Sequence, residues 1–277
     1  MKMNNKRLYE LLSRYADSFL DENYVSIIFE NYSIDRVIKE LEIVLKSENN
    51  DDVHSSLLFI RDFCIQGAVD ISQEMVDEFR IFLPKSKIFS TLNTLLYHSS
   101  LILRKDVVYT IGKIVFEQNA EYLTQAYEFF RDKDPFMISD ILGELEWLEK
   151  DIPWDHIKKL LEHPEYLFRW SVVELMTRLS NEWFDKKLEI LEILGKDTNS
   201  HVALEARFYY ELTLLYPKYE NMCESDWKKE IKRINKYKPK LSFTQVSIGF
   251  CNYQKEKKLL KYTVEDIENF VRENYEL

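Results

Sequence analysis

The sequence has 277 residues and a net charge of −10, and 45% of its residues are hydrophobic, which is enough apolar material for a substantial core. Only 5 glycines and 6 prolines are present, too few for a protein built from many hairpins and tight turns. The length fits two ordinary domains or one elongated repeat array, and the composition favours helices joined by short polar loops.

Targeting and redox signals are weak. No apolar run reaches the roughly 18 residues that a membrane-spanning helix needs, and the N-terminal segment lacks the continuous apolar core of a signal peptide. Cys64, Cys223 and Cys251 are far apart and odd in number, which favours reduced thiols over a disulfide framework or a zinc site. We therefore expect a cytoplasmic protein.

The first hundred residues have the apolar periodicity of helices. We predict an N-terminal helical cap over residues 1–33, followed by a helix for which Ser33 or Asp35 has the residue type of an N-cap. A break is expected at Pro84, because proline disfavours helix in the residue before it. The predicted helices here cover 6–20, 23–31, 34 to the polar run at 47–52, 53–67, and the two halves of 72–98.

The clearest amphipathic helix is predicted over 101–117. Its apolar residues recur at spacings that place them on one side of a helix, at Leu103, Val107, Val108, Ile111, Ile114 and Val115. Further helices are predicted over 119–131, 135–149, 153–162, 167–180, 185–194 and 201–216. Core positions are expected on these helices at Val108, Ile111, Val172, Val173 and Leu175.

Superposing the second helix of each predicted pair reveals an internal repeat. Arg104, Pro135, Arg169 and Ala203 fall at equivalent places, at spacings of 31, 34 and 34 residues. A period of this size with two helices per unit is typical of an α-solenoid.

The repeated segments resemble those of the HEAT-repeat family. LRKDVVYTIGKI is similar to the second helix of a HEAT repeat, where an arginine precedes paired small or branched apolar residues and a glycine, and FRWSVVELMTRL and PFMISDILGEL are similar to it. The resemblance covers roughly 34–216. It implies an all-α, right-handed α-solenoid of about five HEAT-like hairpins, continuous with the N-terminal cap and with a basic helical cap at 217–277. Such a stack has a concave surface on which partners usually bind.

Charge is unevenly distributed along the chain. Residues 228–261 contain eleven basic and two acidic residues, whereas residues 1–226 carry −15. Basic residues interleaved with aromatic ones can bind nucleic acid, but a solvated helix face, or one complementary to the acidic repeats, would have the same composition. The candidate nucleic-acid residues are Lys228, Lys229, Lys232 and Arg233.

Two tryptophans and five acidic residues lie within residues 144–155. An exposed tryptophan often anchors an interface, although both rings could instead pack between adjacent repeats. The candidate partner-binding residues are Glu144, Glu146, Trp147, Glu149, Asp151, Trp154 and Asp155.

No phosphate-binding glycine loop, nucleophile motif or metal-ligand spacing is present in the sequence, so we expect no catalytic residue, metal or cofactor. DNA glycosylases of the HEAT-like type have tryptophans and an acidic residue along a basic groove. Superficial equivalents are Trp147, Trp154, Trp170 and Trp183, with Asp140 or Asp155, but the acidic charge of residues 1–226 opposes DNA binding.

The leading hypothesis is a non-enzymatic solenoid that holds a protein or peptide on a concave, largely acidic face. Charge complementarity leads us to expect a basic partner. A bacterial immunity or adaptor protein is one concrete version. The alternative is a nucleic-acid-binding enzyme of the HEAT-like DNA glycosylase type. Both hypotheses rest on an analogy of fold, and neither involves a membrane.

Overall fold

The computed structural model describes residues 5–18, 24–64, 72–114 and 117–275. In these ranges every regular element is helical, with sixteen α-helices, five short 3-10 helices and no β-strand. The all-α class expected from the sequence is therefore confirmed. The chain divides into two compact units, Met1–Ala126 and Tyr127–Leu277.

The first unit is built from short helices whose ends follow local signals. Ser72 caps one helix by accepting a hydrogen bond from the Met75 N–H group, and Pro84 lies in the 3-10 turn that separates this helix from the next. The helices are α1 (Asn5–Ser13), α2 (Tyr24–Asn31), α3 (Ile34–Val44), α4 (Asn50–Cys64), α5 (Gln73–Phe82), α6 (Ile88–Leu95), α7 (Leu101–Lys113) and α8 (Glu117–Phe130), which crosses the division between the units.

Helix α4 is central to the first unit because it packs against both α1 and α7. Its buried Phe59 and Phe63 contact the aromatic rings of other helices, including Phe79, whose ring centroid is 4.7 Å from that of Phe63. His54 Nδ1 lies 2.6 Å from Asp106 Oδ2, which joins α4 to α7. Burying each large apolar side chain stabilises the fold by about 1.5–3 kcal/mol.

The second unit contains pairs of helices whose second members contact one another in chain order. Helix α9 packs against α11, and α11 packs against α13. The helices are α9 (Pro135–Trp147), α10 (Trp154–Leu161), α11 (Tyr166–Arg178), α12 (Phe184–Leu194), α13 (Ser200–Leu215), α14 (Glu224–Ile234), α15 (Phe243–Lys257) and α16 (Val264–Tyr275).

Two arginines aligned by the sequence repeat make the same local contacts. Arg104 Nη1 donates to the carbonyl of His98 at 2.8 Å, and Arg169 Nη1 donates to the carbonyl of His163 at 2.5 Å. In each case the hydrogen bond connects the arginine's helix to a loop residue six positions earlier in the chain. Arg169 also pairs with both carboxylate oxygens of Asp197, at 2.7 and 3.0 Å, so the second unit joins consecutive helix pairs through this residue.

Helix α15, in the C-terminal part of the chain, lies on the second helices of earlier pairs. Its Phe243 ring is 5.4 Å from Phe136 of α9 and 5.7 Å from Trp170 of α11, measured between centroids. Further along, the Tyr262 hydroxyl donates to Asp134 Oδ2 at 2.5 Å. Residues 217–277, expected to form a basic C-terminal cap, thus include a helix that covers α9 and α11.

The predicted core residues Val108, Ile111, Val172, Val173 and Leu175 are all fully buried, which confirms the helical registers used to select them. Cys223 is exposed and Cys251 is buried, both as free thiols. Some predicted features lie outside the described residues. They are the helix ends at residues 20 and 67, the side chain of Cys64, and Val115.

Candidate partner-binding edge

Helix α9 is bounded by recognisable capping signals. Asp134 Oδ1 accepts a hydrogen bond from the Phe136 N–H group at 3.1 Å. Pro135 occupies the first turn, where a backbone N–H group would have no acceptor within the helix, so proline loses no hydrogen bond there. At the other end, the Lys150 N–H group donates to the Leu145 carbonyl at 3.0 Å. This six-residue closure is the Schellman arrangement that ends many helices.

Glu149 occupies the left-handed position of that closure, with φ at 57°. Glycine is usual at this position because other L-residues are strained there by about 1–2 kcal/mol. Lys258 has the same conformation at the end of α15, with φ at 54°. The strain at Glu149 is therefore not by itself a mark of function.

The five predicted acidic residues fall into two groups. Glu144 is buried in α9, and Glu146 is half-buried, with its Oε1 accepting a hydrogen bond from the Ser180 N–H group at 3.0 Å. The other three are exposed and have no side-chain partner among the described residues. They are Glu149, Asp151 and Asp155.

The two predicted tryptophans have different environments. Trp147 is 63% exposed at the end of α9. Trp154 is half-buried at the start of α10, where its ring centroid lies 5.0 Å from that of Trp183 and 5.9 Å from the ammonium of Lys186. We use the name acidic edge for exposed Trp147 together with Glu149, Asp151 and Asp155. Trp154 is partly a packing residue beside this edge.

An open pocket of about 500 Å³ lies next to Trp154. Its lining combines aromatic, acidic and basic side chains from α10 and from the end of α8. The residues include Arg131, Pro153, Trp154, Asp155, His156 and Lys159.

His156 belongs to a polar chain that sequence reasoning did not detect. Tyr127 Oη lies 2.5 Å from His156 Nδ1, and His156 Nε2 lies 3.2 Å from Asp132 Oδ1. Burial raises the pKa of Tyr127, so the phenol keeps its proton and can donate it to Nδ1. The other ring nitrogen of His156, Nε2, faces Asp132. No local motif in the sequence marks these three residues, because the contacts join separate helices.

The basic residues considered for nucleic acid lie on α14, where neighbouring carboxylates neutralise most of them. Lys228 pairs with Glu224 at 2.5 Å and Lys229 with Asp226 at 3.2 Å. Arg233 pairs with Glu211 of α13 at 2.7 Å, and it also pairs with Glu230. Lys232 is exposed and has no carboxylate partner in the described part of the chain.

Two residues of the glycosylase-like set are inaccessible. Trp170 is fully buried, and its Nε1–H group donates to Glu205 Oε2. Asp140 is also fully buried, with its Oδ1 2.8 Å from Arg178 Nη2. Neither side chain can reach a nucleic acid in this structure.

Buried acids on the second helices of the second unit are used within the unit. Arg178 Nε lies 3.2 Å from Glu174 Oε1, and Thr244 at the start of α15 donates to Glu174 Oε2 at 3.0 Å. Glu205 Oε2 accepts from the Phe243 N–H group at 2.9 Å. These carboxylates therefore hold α15 in place.

No protein-family model, curated protein or solved structure matches this chain. Across the described residues, no three His, Cys, Asp or Glu side chains are grouped so that they could hold a metal ion. In the same residues, no helix has the length and apolar character needed to cross a membrane.

Proposed function

We propose that this protein is a non-enzymatic, cytoplasmic binding protein built as a right-handed HEAT-like α-solenoid, and that it holds a basic protein or peptide. The all-helical architecture and the matching contacts of Arg104 and Arg169 support the repeat part of the proposal. A bacterial immunity or adaptor protein with a basic partner is one concrete version.

The binding part of the proposal is carried by the exposure of Trp147 beside carboxylates that have no internal partner. Trp147 is 63% exposed, while Glu149 and Asp151 in the following turn are exposed and unpaired among the described residues. A large aromatic ring at the centre of an interface contributes strongly to affinity. Free carboxylates around it would attract a basic partner and set its orientation.

The ion pairs of α14 make the nucleic-acid alternative the weaker of the two. Lys228, Lys229 and Arg233 already have carboxylate partners, so a phosphate backbone would have to compete with these carboxylates. Binding to nucleic acid depends on basic side chains that are available to neutralise phosphates.

The proposal is tested by affinity capture from native lysate with nuclease treatment, followed by mass spectrometry. We expect a basic protein to be retained by the wild-type chain and lost with Trp147→Ala. Leu260→Ala removes another exposed apolar side chain, 76% exposed, and serves as the matched control. The proposal would be contradicted if the same proteins were captured by Trp147→Ala as by the wild-type chain, or if the captured proteins disappeared after nuclease treatment.

A further inference from the structure

A second pocket, of about 430 Å³, lies in the second unit between the C-terminal halves of α11 and α13 and the first turns of α12. Its volume is within the range of small-molecule sites, about 300–1,000 Å³. Five of its ten lining residues are apolar or aromatic, four are polar and uncharged, and Lys187 is the one cation. The lining includes Met176, Leu179, Lys187, Tyr209, Leu212 and Tyr216.

Lys187 is the unusual member of this lining. The residue is only 7% exposed, and its Nζ atom donates to the Leu179 carbonyl at 2.9 Å. An ammonium group has three N–H donors, and no second acceptor or ion-paired carboxylate is found for Lys187 among the described residues. A buried cation needs hydrogen-bond acceptors, and because Lys187 lines the pocket, its remaining donors are available to a ligand that enters it.

The surroundings of Lys187 explain both its burial and its incomplete pairing. Leu179 follows the last turn of α11, where free carbonyl groups attract a cation. The nearby Glu146 carboxylate is held by the Ser180 N–H group. Burial lowers the pKa of Lys187, although the charge of Glu146 acts in the opposite direction.

The rest of the pocket suits an apolar group. Leu212, which is half-buried, provides aliphatic surface, and Tyr216 is 67% exposed at the rim. Burial raises the pKa of Tyr209 to about 12, with the charges of Glu205 and Glu174 adding to the effect. The Tyr209 hydroxyl therefore keeps its proton and can act as a donor.

We propose that this pocket binds a small amphipathic carboxylate, whose acid group accepts hydrogen bonds from Lys187 and whose aliphatic or aromatic body packs against Leu212 and Tyr216. This site is separate from the acidic edge, and it does not depend on the proposed partner.

The test uses isothermal titration calorimetry with phenylbutyrate and with phenylbutanol, which has the same apolar body without the charge. We expect saturable one-to-one binding of phenylbutyrate that is at least about tenfold tighter than that of the alcohol, because charge-assisted hydrogen bonds are the stronger kind. Lys187→Met should remove this preference and leave the alcohol unaffected. Lys196→Met, at an exposed lysine paired with Glu192, is the matched control.

Tyr216→Ala provides a second variant, because substitution of a side chain that is 67% exposed is expected to change stability little. It should weaken both probes, because it removes a wall of the pocket. Absence of phenylbutyrate binding, equal affinity for acid and alcohol in the wild-type chain, or a preference unchanged by Lys187→Met would each overturn the proposal.

Discussion

The carboxyl group of Glu205 links three elements of the second unit. It is fully buried on α13 and accepts hydrogen bonds through Oε2 from Trp170 of α11 and from the first N–H group of α15. Its Oε1 atom has no hydrogen-bond partner among the described residues. Burial raises its pKa from 4.5 to about 7, with the charge of Glu174 adding to this effect and the two hydrogen bonds opposing it.

This shift predicts the direction of a pH dependence. Between pH 4.5 and 7 the folded chain holds the Glu205 proton and the unfolded chain has lost it, so stability falls as the pH rises through this window. The loss from this group is roughly 3 kcal/mol. Glu205→Gln keeps a carbonyl acceptor for Phe243 and should flatten this part of the stability profile measured by urea unfolding. Glu192→Gln, at an exposed residue, should leave the profile as it is. An unchanged slope in Glu205→Gln would show that Glu205 titrates normally.

The strained backbone at Glu149 gives a test that separates stability from binding. Glu149→Gly relieves the left-handed conformation and should raise the free energy of unfolding by up to about 1 kcal/mol. Lys258→Gly relieves the same conformation at a distant position in the chain and should do likewise. Only Glu149→Gly should weaken retention of the captured partner. If neither variant is stabilised in urea unfolding, the left-handed geometry at these residues is wrong.

Trp147 and Trp154 illustrate what the sequence could not resolve. Both rings lie in one acidic segment, and the two interpretations, interface anchor or packing residue, applied equally to each. The structure separates them because Trp183, 29 residues after Trp154, lies against its ring, while Trp147 remains 63% exposed. Such a distant partner leaves no signal in local sequence.

Phe243 of helix α15 packs into one core with residues of helices α9 and α11. Phe243 is buried between Phe136 and Trp170, so Phe243→Ala should lower the free energy of unfolding by about 3–5 kcal/mol. Ile248→Ala, on the same helix but 57% exposed, should change it by less than about 0.5 kcal/mol. Chemical denaturation of both variants measures these changes. Equal effects of the two substitutions would mean that the register of α15 is wrong.

The helices themselves were largely predictable, whereas their distant contacts were not. Pro84, Pro135 and the apolar stripes set helix limits and buried faces, and the five core residues chosen from these stripes are buried. The sequence predicted 217–277 only as a basic helical cap, and it did not show that α15 covers Phe136, which lies more than 100 residues earlier in the chain. The candidate site was predictable only as a segment, because exposure within it depends on such distant contacts.

The chain as a whole carries its acidic excess in residues 1–226 and a basic excess in 228–261. The basic count overstated the free positive charge of α14, because Glu224, Asp226 and Glu211 lie outside the counted range and pair with its lysines and arginine. If the acidic edge holds a basic partner, the association should slow and weaken with added salt, since screening shortens to about 8 Å at physiological ionic strength.

Charge reversal at the acidic edge is the most direct test of the binding proposal. Glu149→Lys combined with Asp151→Lys alters two exposed residues that have no side-chain partner among the described residues. Glu146 is left unchanged because its carboxylate accepts a hydrogen bond from the Ser180 N–H group. The comparison protein has Lys228, Lys229, Lys232 and Arg233 all changed to alanine. Each is used for capture from the same nuclease-treated lysate, and its melting temperature is measured. We expect the acidic-edge variant to lose the basic partner at an unchanged melting temperature and the alanine variant to retain that partner. The binding proposal would be contradicted if the acidic-edge variant retained the partner and the alanine variant lost it.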